Sequence, residues 1–310
     1  MGAAGQVLRR GGDGAGGRSL RRRDALTAWL FILPTIVGFL AFVIGPIVGG
    51  LALGFMRYDL LTPPSFVGGE NFVKMIEDQR ILQIFGNTIY YVVGMIALDL
   101  VWALILAVAL NSFIPRFFKV FFRAVFFFPI LVSGAVISIV WLYLFNMDLG
   151  IINWYLVKLG LDRVPWLISS DWVRNSVIIM TVWNGVGFNM LLLLAGLQNI
   201  PVELYEAGRI DGAGRWASFG RITLPMLTPV IFFILVKGAI GVFQLFDSPF
   251  VLTQGGPGDA SRTVLMYIWE RGFQVLDFGY AAAIGLVLFL AILAVTAVQF
   301  ATSDRWVFYR

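Results

Sequence analysis

The chain is 310 residues long, with 59% hydrophobic and only 13% charged residues, and it carries a formal net charge of +5. The charged fraction is about half of the ~25% found in soluble globular domains, so the composition excludes an ordinary soluble protein and indicates a chain within a lipid bilayer. The sequence contains neither cysteine nor histidine, which excludes disulfides, the usual zinc sites and Ser-His catalysis. We therefore expect no catalytic residue and no metal site.

A glycine- and arginine-rich segment opens the chain and predicts a flexible basic tail over residues 1–25. Six apolar runs follow, and a membrane-spanning helix needs about 20 apolar residues. The sequence therefore predicts an all-α polytopic membrane protein with a six-helix transmembrane domain over 26–303 and a short tail over 304–310. Five prolines within the runs are expected to kink or end helices. The runs cover roughly 26–55, 84–110, 120–145, 173–197, 223–246 and 279–302.

The basic residues predict the orientation of these helices, because Lys and Arg are enriched in the cytoplasmic segments of membrane proteins. Most of them lie in the first segment, in the loops after the second and fourth apolar runs, and in the carboxyl-terminal tail. We therefore expect a multi-pass protein of the inner membrane with both termini in the cytoplasm. These membrane flanks and anionic lipid account for the net positive charge, so no nucleic-acid partner is expected.

Polar side chains inside the apolar runs are costly and tend to face a bundle interior or a watery cavity. The candidates for a substrate pathway are Trp183, Asn184 and Asn189 in the fourth run and Gln244 and Asp247 at the end of the fifth. A sugar would need amides and a carboxylate for its hydroxyls and an aromatic face for its C–H surface. The alternative is that the amides tie neighbouring helices together. Asn184 and Asn189 are five residues apart, about 140° around a helix, so they need not share a face.

Two ionisable residues, Asp99 and Lys237, also lie within apolar runs. Each costs about 2.5 to 3.5 kcal/mol at mid-membrane, so we expect them to pair, to reach the interface or to face a partner subunit. They could orient the bundle without touching substrate, or serve an ion-coupled secondary transporter as a relay. Six spans without an apparent internal repeat argue against that transporter. A non-transporting membrane scaffold or receptor is a third alternative.

A polar segment with several glycines, at about 199–221, separates the fourth and fifth apolar runs. Pro201 suits the first turn of a short helix, and Gly212 suits the point where that helix must stop and turn. A second short helix would follow, with Trp216 and Phe219 as aromatic anchors of the kind that dominate interfaces. The pattern predicts a helix-turn-helix that docks onto another protein.

The order of residues in this segment resembles the cytoplasmic coupling segment of type I permease subunits in bacterial binding-protein-dependent ABC importers. That pattern is E-A-A, two residues, D-G-A, five residues, F, two residues, I, one residue, L-P, three residues, P. The chain departs from it only at Gly208, which stands at the second alanine and lowers helix propensity by roughly 1 kcal/mol. The resemblance implies that the residues coupling to the ATPase are Glu206, Ala207, Gly208, Asp211, Gly212, Ala213, Phe219, Leu224 and Pro225.

Two further stretches are similar to the carbohydrate branch of these permeases, which includes maltose and glycerol-phosphate transporters: an L-T-x-G-G-P loop at 252–257 and an F-G-Y-A-A-A start at 278–283. The resemblance implies a membrane-spanning permease subunit for an oligosaccharide, sugar or polyol derivative, with a glycerol-phosphate-like anion as the alternative. The implied partners are a second homologous permease, a dimer of ATP-binding-cassette ATPases and an extracytoplasmic substrate-binding protein. No lysine is followed by Ser or Thr, so a Walker A loop is absent. A separate ATPase would use ATP and Mg²⁺, and no cofactor is expected on this chain.

Overall fold

The structure, a computed structural model, describes residues 15–112 and 114–308. Residues 1–14, 113, 309 and 310 lie outside this description, so the predicted tail over 1–25 is described only in part, and that part is helical. The chain forms two compact units, the first ending at Ala52 and the second beginning at Leu53.

The described part of the first unit is helical. Helix α1 (Ala15–Phe39) continues through a π-helical turn (Leu40–Ile44) into α2 (Gly45–Leu53). The π turn ends two residues before Pro46, whose ring nitrogen has no hydrogen to donate to the helix ladder. The stretch Thr27–Leu53 is apolar and long enough to cross a membrane.

The second unit begins with a small two-stranded antiparallel sheet, β1 (Met56–Arg57) and β2 (Ser65–Phe66). Helix α3 (Glu70–Glu77) follows, and Asn71 ties it to the sheet by donating to the carbonyl of Met56 at 2.9 Å. Helix α4 (Gln79–Asn111) is the longest in the unit. Its N-cap is Asp78, whose carboxylate accepts from the backbone N–H of Arg80.

The third predicted run is not one straight helix. Helix α5 (Arg116–Phe127) ends in a 3-10 turn (Phe128–Leu131), and α6 (Gly134–Leu144) leaves this turn at an angle of 103°. Pro129 lies in the turn, which agrees with the expected kink. The break packs against the helix that contains Gly187, where a Cβ atom would lie 1.9 Å from the carbonyl oxygen of Phe126.

The remaining helices complete the second unit. Helix α8 packs along the length of α4, and α11 packs against both. Buried aliphatic side chains of these three helices form one continuous apolar core. The elements are α7 (Ile151–Lys158), α8 (Val173–Gln198), α9 (Val202–Ile210), α10 (Arg215–Ser218), a π turn (Phe219–Thr223), α11 (Leu224–Phe243), α12 (Asp247–Thr253), α13 (Val264–Trp269), a π turn (Glu270–Gln274) and α14 (Phe278–Ser303).

In the part of the chain that the structure describes, five helical stretches are long and apolar enough to span a membrane, and the bent α5–α6 pair gives a sixth. This confirms the predicted all-α polytopic fold. We use two names for the ends of the second unit. The hairpin end carries α9 and α10, and the far end carries α3, α12, α13 and the start of α14.

Candidate functional site

The segment that resembles a coupling motif forms a helical hairpin. Helix α9 ends at Ile210, and Gly212, two residues on, has a left-handed φ of +79°, which favours glycine. The N–H of Ala213 donates to the carbonyl of Gly208 at 2.8 Å, and the N–H of Gly212 donates to that of Arg209 at 3.1 Å. This pair of bonds is a Schellman motif, which satisfies the last carbonyls of the helix. Asp211 is the C-cap residue, and its exposed side chain forms no hydrogen bond with the described residues.

The hairpin is joined to the bundle through two residues that the sequence did not single out. The hydroxyls of Tyr205 and Thr223 lie 2.9 Å apart and form a hydrogen bond between α9 and the start of the fifth span. Tyr205 also packs against the apolar core, as does Ile222. A Cβ atom on Gly208 would lie 3.1 Å from Cδ1 of Ile222, so the glycine lets the two arms of the hairpin pack closely.

The outer surface of the hairpin is available for contact with another protein. Ile210 and Trp216 are each 87% exposed, so the apolar surface of both side chains is open to a partner. Most of the predicted coupling residues are also exposed, whereas Gly208, Ala213, Phe219 and Pro225 are half-buried. Beside them is a cleft of about 330 Å³, the hairpin cleft, lined by Val108, Asn111, Leu197, Tyr205, Arg209, Ala213, Arg215, Ser218, Phe219 and Thr223.

A second cleft, of about 370 Å³, lies beside the break in the third span. It brings together Asn184, Gln244 and Asp247, three of the five residues proposed for a substrate pathway. We call it the bend cleft. Its walls come from the break, from α8 and from the junction of α11 and α12, and they consist of Ile130, Val132, Gly134, Thr181, Asn184, Gly185, Gly241, Gln244, Leu245, Phe246, Asp247 and Ser248.

The polar groups of the bend cleft have unused hydrogen-bonding capacity. The side chains of Asn184, Gln244 and Asp247 form no hydrogen bond with any residue in 15–112 or 114–308, and the buried hydroxyl of Thr181 has no partner there either. The carboxylate of Asp247 is the only charged side chain in the lining. The cleft therefore offers amides, a hydroxyl and a carboxylate, but no cation.

The other two residues predicted for the pathway lie elsewhere. The indole of Trp183 packs edge-on against that of Trp141, with ring centroids 5.6 Å apart. Asn189 donates its side-chain N–H to the carboxylate of Asp99, so it ties α8 to α4 as in the structural alternative. Lys237 lies with its Nζ atom 4.0 Å from the centroid of the Phe188 ring and forms no salt bridge with Asp99.

The far end contains an ion-pair network that the sequence did not predict. Arg80 forms paired hydrogen bonds with Asp259, at 2.7 and 3.1 Å, and with Glu270, at 2.8 and 3.3 Å. Arg262 binds the same two carboxylates, each at 2.5 Å. Two guanidinium groups and two carboxylates therefore join α4, the loop after α12 and the end of α13 in a neutral cluster. We call it the far-end network.

A carboxylate next to this network caps α4. Asp78 accepts hydrogen bonds from the hydroxyls of Tyr267 and Tyr280 and forms a salt bridge of 3.5 Å with Arg271. Burial raises the pKa of Asp78, but these hydrogen bonds outweigh burial and lower it below its ordinary value. The pKa of Asp259 is also lowered, because bonds from Arg80 and Arg262 outweigh its burial.

Comparisons with known proteins agree with this architecture. Residues 99–307 match the model of the family described as "Binding-protein-dependent transport system inner membrane component". The chain is 36% identical to the probable ABC transporter permease protein YesP of Bacillus subtilis (strain 168), over 93% of this chain and 94% of that protein. It is 34% identical to the lactose transport system permease protein LacF of Rhizobium radiobacter, over 91% of this chain and 95% of that protein.

A solved structure has the same fold. The crystal structure of a bacterial ABC transporter involved in the import of the acidic polysaccharide alginate contains a chain that superimposes with a TM-score of 0.81. That chain is 26% identical to this one, and the alignment covers 93% of this chain and 98% of the other.

Proposed function

The chain belongs to the family of inner membrane components of binding-protein-dependent transport systems, and from this premise we propose that it forms half of a pathway for a neutral carbohydrate. It is a permease subunit of the ABC transporter class and not an enzyme, since ATP hydrolysis in such importers is carried out by a separate chain. An ion-coupled transporter that works alone does not fit this family. The missing salt bridge between Asp99 and Lys237 gives that alternative no support.

The bend cleft carries the substrate proposal. A sugar presents many hydroxyls, and each needs a donor or an acceptor once it leaves water. Asn184, Gln244 and Asp247 provide such groups, and the described residues leave them without partners. LacF is named as part of a lactose transport system, and the structural neighbour belongs to a transporter involved in the import of a polysaccharide.

The charge of the bend cleft favours a neutral substrate over an anionic one. A phosphate or uronate needs Arg, Lys or a row of backbone N–H groups, and the lining of this cleft contains a carboxylate and no cation. Asp247 would repel such a ligand. We therefore favour a sugar or oligosaccharide over glycerol phosphate and over an acidic polymer such as alginate.

We assign ATPase coupling to the hairpin. Ile210 and Trp216 would enter a groove on the ATPase, and the small residues around Gly212 would let the two backbones approach closely. Glu206, Ala207, Gly208, Asp211 and Ala213 belong to this contact, and Phe219, Leu224 and Pro225 join it to the fifth span.

Two helices connect the hairpin to the bend cleft. The part of helix α8 from Asn184 to Gln198 leads from the cleft to the hairpin, a rise of about 21 Å at 1.5 Å per residue. Helix α11 returns from the hairpin to Gln244. A displacement of the hairpin by the closing ATPase dimer would therefore move both walls of the cleft, and the pathway would open alternately to either side.

In the membrane, we place the hairpin and both termini in the cytoplasm, following the distribution of basic residues. The far end would then face the extracytoplasmic binding protein that the family requires. A second homologous permease would complete the pathway, and an ATPase dimer would bind the two hairpins and use ATP and Mg²⁺. The chain itself would need no cofactor, and among the described residues no cluster of three or more acidic residues suits a metal ion.

The test is ATP-dependent uptake by the complete transporter in proteoliposomes. We would compare lactose, raffinose, maltotriose, arabinotriose and maltotetraose with glycerol 3-phosphate and an alginate trisaccharide. We expect uptake of a neutral sugar, reduced about fivefold by Asn184→Leu or by Gln244→Leu for each lost hydrogen bond of about 1 kcal/mol. Gln79→Leu, at an exposed amide outside the cleft, is the matched control. Uptake of the anions alone, or full uptake with both cleft amides replaced, would contradict the proposal.

A further inference from the structure

A third cleft lies at the far end, next to the bend cleft. It has a volume of about 380 Å³ and is lined by Phe250, Gln254, Arg262, Met266, Trp269, Glu270 and Gln274. We call it the aromatic cleft. Helix α12 lies between the two clefts: its first residues, Asp247 and Ser248, line the bend cleft, whereas Phe250 in its middle and its C-cap residue Gln254 line the aromatic cleft. Seven residues of helix span about 10 Å, so the two clefts are close neighbours.

Three aromatic rings form a continuous strip from one cleft to the other. Phe246 lines the bend cleft and stacks on Phe250, with ring centroids 4.9 Å apart and an angle of 18° between the rings. Trp269 meets both edge-on, with centroids 6.0 Å from Phe246 and 5.1 Å from Phe250. All three are only half-buried, so part of each ring is open to the clefts. Such flat apolar faces suit the C–H surface of a sugar ring.

Two amides flank the strip and have no partners. Gln254 and Gln274 are exposed, and neither side chain hydrogen-bonds to any of the residues that the structure describes. Gln254 has a left-handed backbone, with φ of +51° and ψ of +27°, which is uncommon for a residue other than glycine. The loop is fixed around it, because Arg262 belongs to the far-end network and donates to the carbonyl of Gln254 at 3.4 Å.

The charges of the aromatic cleft are already neutralised. Its guanidinium, on Arg262, and its carboxylate, on Glu270, bind each other at 2.5 Å, and both are further bound within the network. The pair therefore has little attraction for an ionic ligand, and the free hydrogen-bonding groups are the two uncharged amides. An aromatic face with free amides and no net charge is suited to a neutral sugar.

We propose that the aromatic cleft is a second carbohydrate subsite, which holds one sugar ring on Trp269 and Phe250 while another unit of the same molecule lies in the bend cleft. Gln254 and Gln274 bind its hydroxyls. This inference rests on the proposed function, because it takes the bend cleft as a sugar site. It adds that the transporter prefers oligosaccharides long enough to span about 10 Å, the length of α12.

The first experiment uses the chain's lack of cysteine, which leaves it without a background thiol. In the complete transporter, Gln274→Cys places a thiol in the aromatic cleft, and Val275→Cys places one on the next, exposed residue outside it. The rate of maleimide modification is measured with and without each neutral sugar of the uptake panel. The wild-type transporter gives the background from the partner chains.

We expect a trisaccharide or tetrasaccharide to slow modification at Gln274→Cys and not at Val275→Cys. Adding Trp269→Ala should raise the sugar concentration needed for half-protection by about three- to tenfold, the scale of one lost aromatic contact. Trp269→Tyr should largely preserve it. Phe250→Leu provides a second variant if Trp269→Ala does not assemble.

The outcomes separate this inference from the proposed function. Uptake of a panel sugar without protection at Gln274→Cys would overturn the second subsite and leave the proposed function standing. The second subsite would also be overturned if Trp269→Ala reduced the uptake of a disaccharide and of a tetrasaccharide equally. Protection at Gln274→Cys without uptake would support the subsite, although the proposed function would then fail.

Discussion

At the hairpin end, two short helices are attached by apolar packing and by the hydrogen bond between Tyr205 and Thr223, whereas at the far end charged side chains cross-link three separate segments. The hairpin takes its shape from its own backbone, through the Schellman motif at Gly212. The loop at the far end also has backbone hydrogen bonds of its own, such as that from Ser261 to Gly255, but Arg80 joins it to a distant helix.

This difference shows two ways of making a surface rigid. In the hairpin, backbone hydrogen bonds end the first helix and leave the side chains available for a partner. Ile210 and Trp216 therefore remain exposed. In a loop that is held by side-chain contacts, those side chains are not available to a ligand. Only a few polar groups, such as Gln254 and Gln274, remain free to bind one. The comparison can be tested at both ends.

The largest effect is expected at the far end. Replacing Arg80 with alanine leaves Asp259 and Glu270 with one cation in place of two, and we expect the free energy of unfolding to fall by roughly 2 kcal/mol, the low end for a buried charge pair, because Arg80 is about one-third exposed. Arg163→Ala, which breaks only the exposed pair with Asp148, should cost about 0.5 kcal/mol or less. Thermal unfolding of the purified transporter measures both. Equal losses would mean that the far-end network contributes no more to stability than an exposed ion pair.

At the hairpin end, Gly212→Val should separate ATP hydrolysis from uptake. A β-branched residue is strained by about 1 to 2 kcal/mol at a φ of +79°, so the turn should distort and the uptake per ATP should fall about tenfold. Gly212→Asn, which tolerates this conformation, and Gly214→Val, at an extended glycine two residues on, should retain most of the coupling. Normal coupling in Gly212→Val would show that the Schellman turn is not needed.

Acid should weaken the far end before the hairpin end. The pKa values of Asp78 and Asp259 are lowered from an ordinary value of 3.8 in the folded protein. The stability that they contribute is therefore fully present above about pH 3.8 and is lost as pH falls through the lowered values. Limited proteolysis over pH 5 to 2.5 should cut the loop around 254–262 before the loop around 211–214. The reverse order would contradict this assignment.

The smallest effect is expected from Gly208→Ala, which restores the alanine of the coupling motif. The methyl group gains up to about 1 kcal/mol in helix propensity, but it would lie 3.1 Å from Ile222, which must move by a few tenths of an ångström. We expect a net change in the free energy of unfolding of about 0.5 kcal/mol or less. Gly208→Ala combined with Ile222→Val should be more stable than Ile222→Val alone. A large loss in the single variant would mean that the hairpin arms cannot separate at all.

The features that the sequence predicted are local. The spans follow from runs of apolar residues, and the end of α9 follows from Gly212. The far-end network joins Arg80 to residues 179 and 190 positions away, and no local pattern records that pairing. The bend cleft is an intermediate case. Its polar residues were recognised as costly inside a membrane, but only the packing of α8 against the break showed that Asn184 belongs to it and Asn189 does not.

The break in the third span bears on how the protein is made. Helix α5 has 12 residues and α6 has 11, about 18 and 17 Å of helix, whereas the hydrocarbon of a bilayer is about 30 Å thick. Neither half can cross on its own, and the backbone that supports the break, at Gly187, is translated later. We therefore expect the third span to take its final position only after α8 has been translated. Replacing Gly187 with alanine would then reduce the amount of protein that reaches the membrane. This defect would precede any effect on sugar transport.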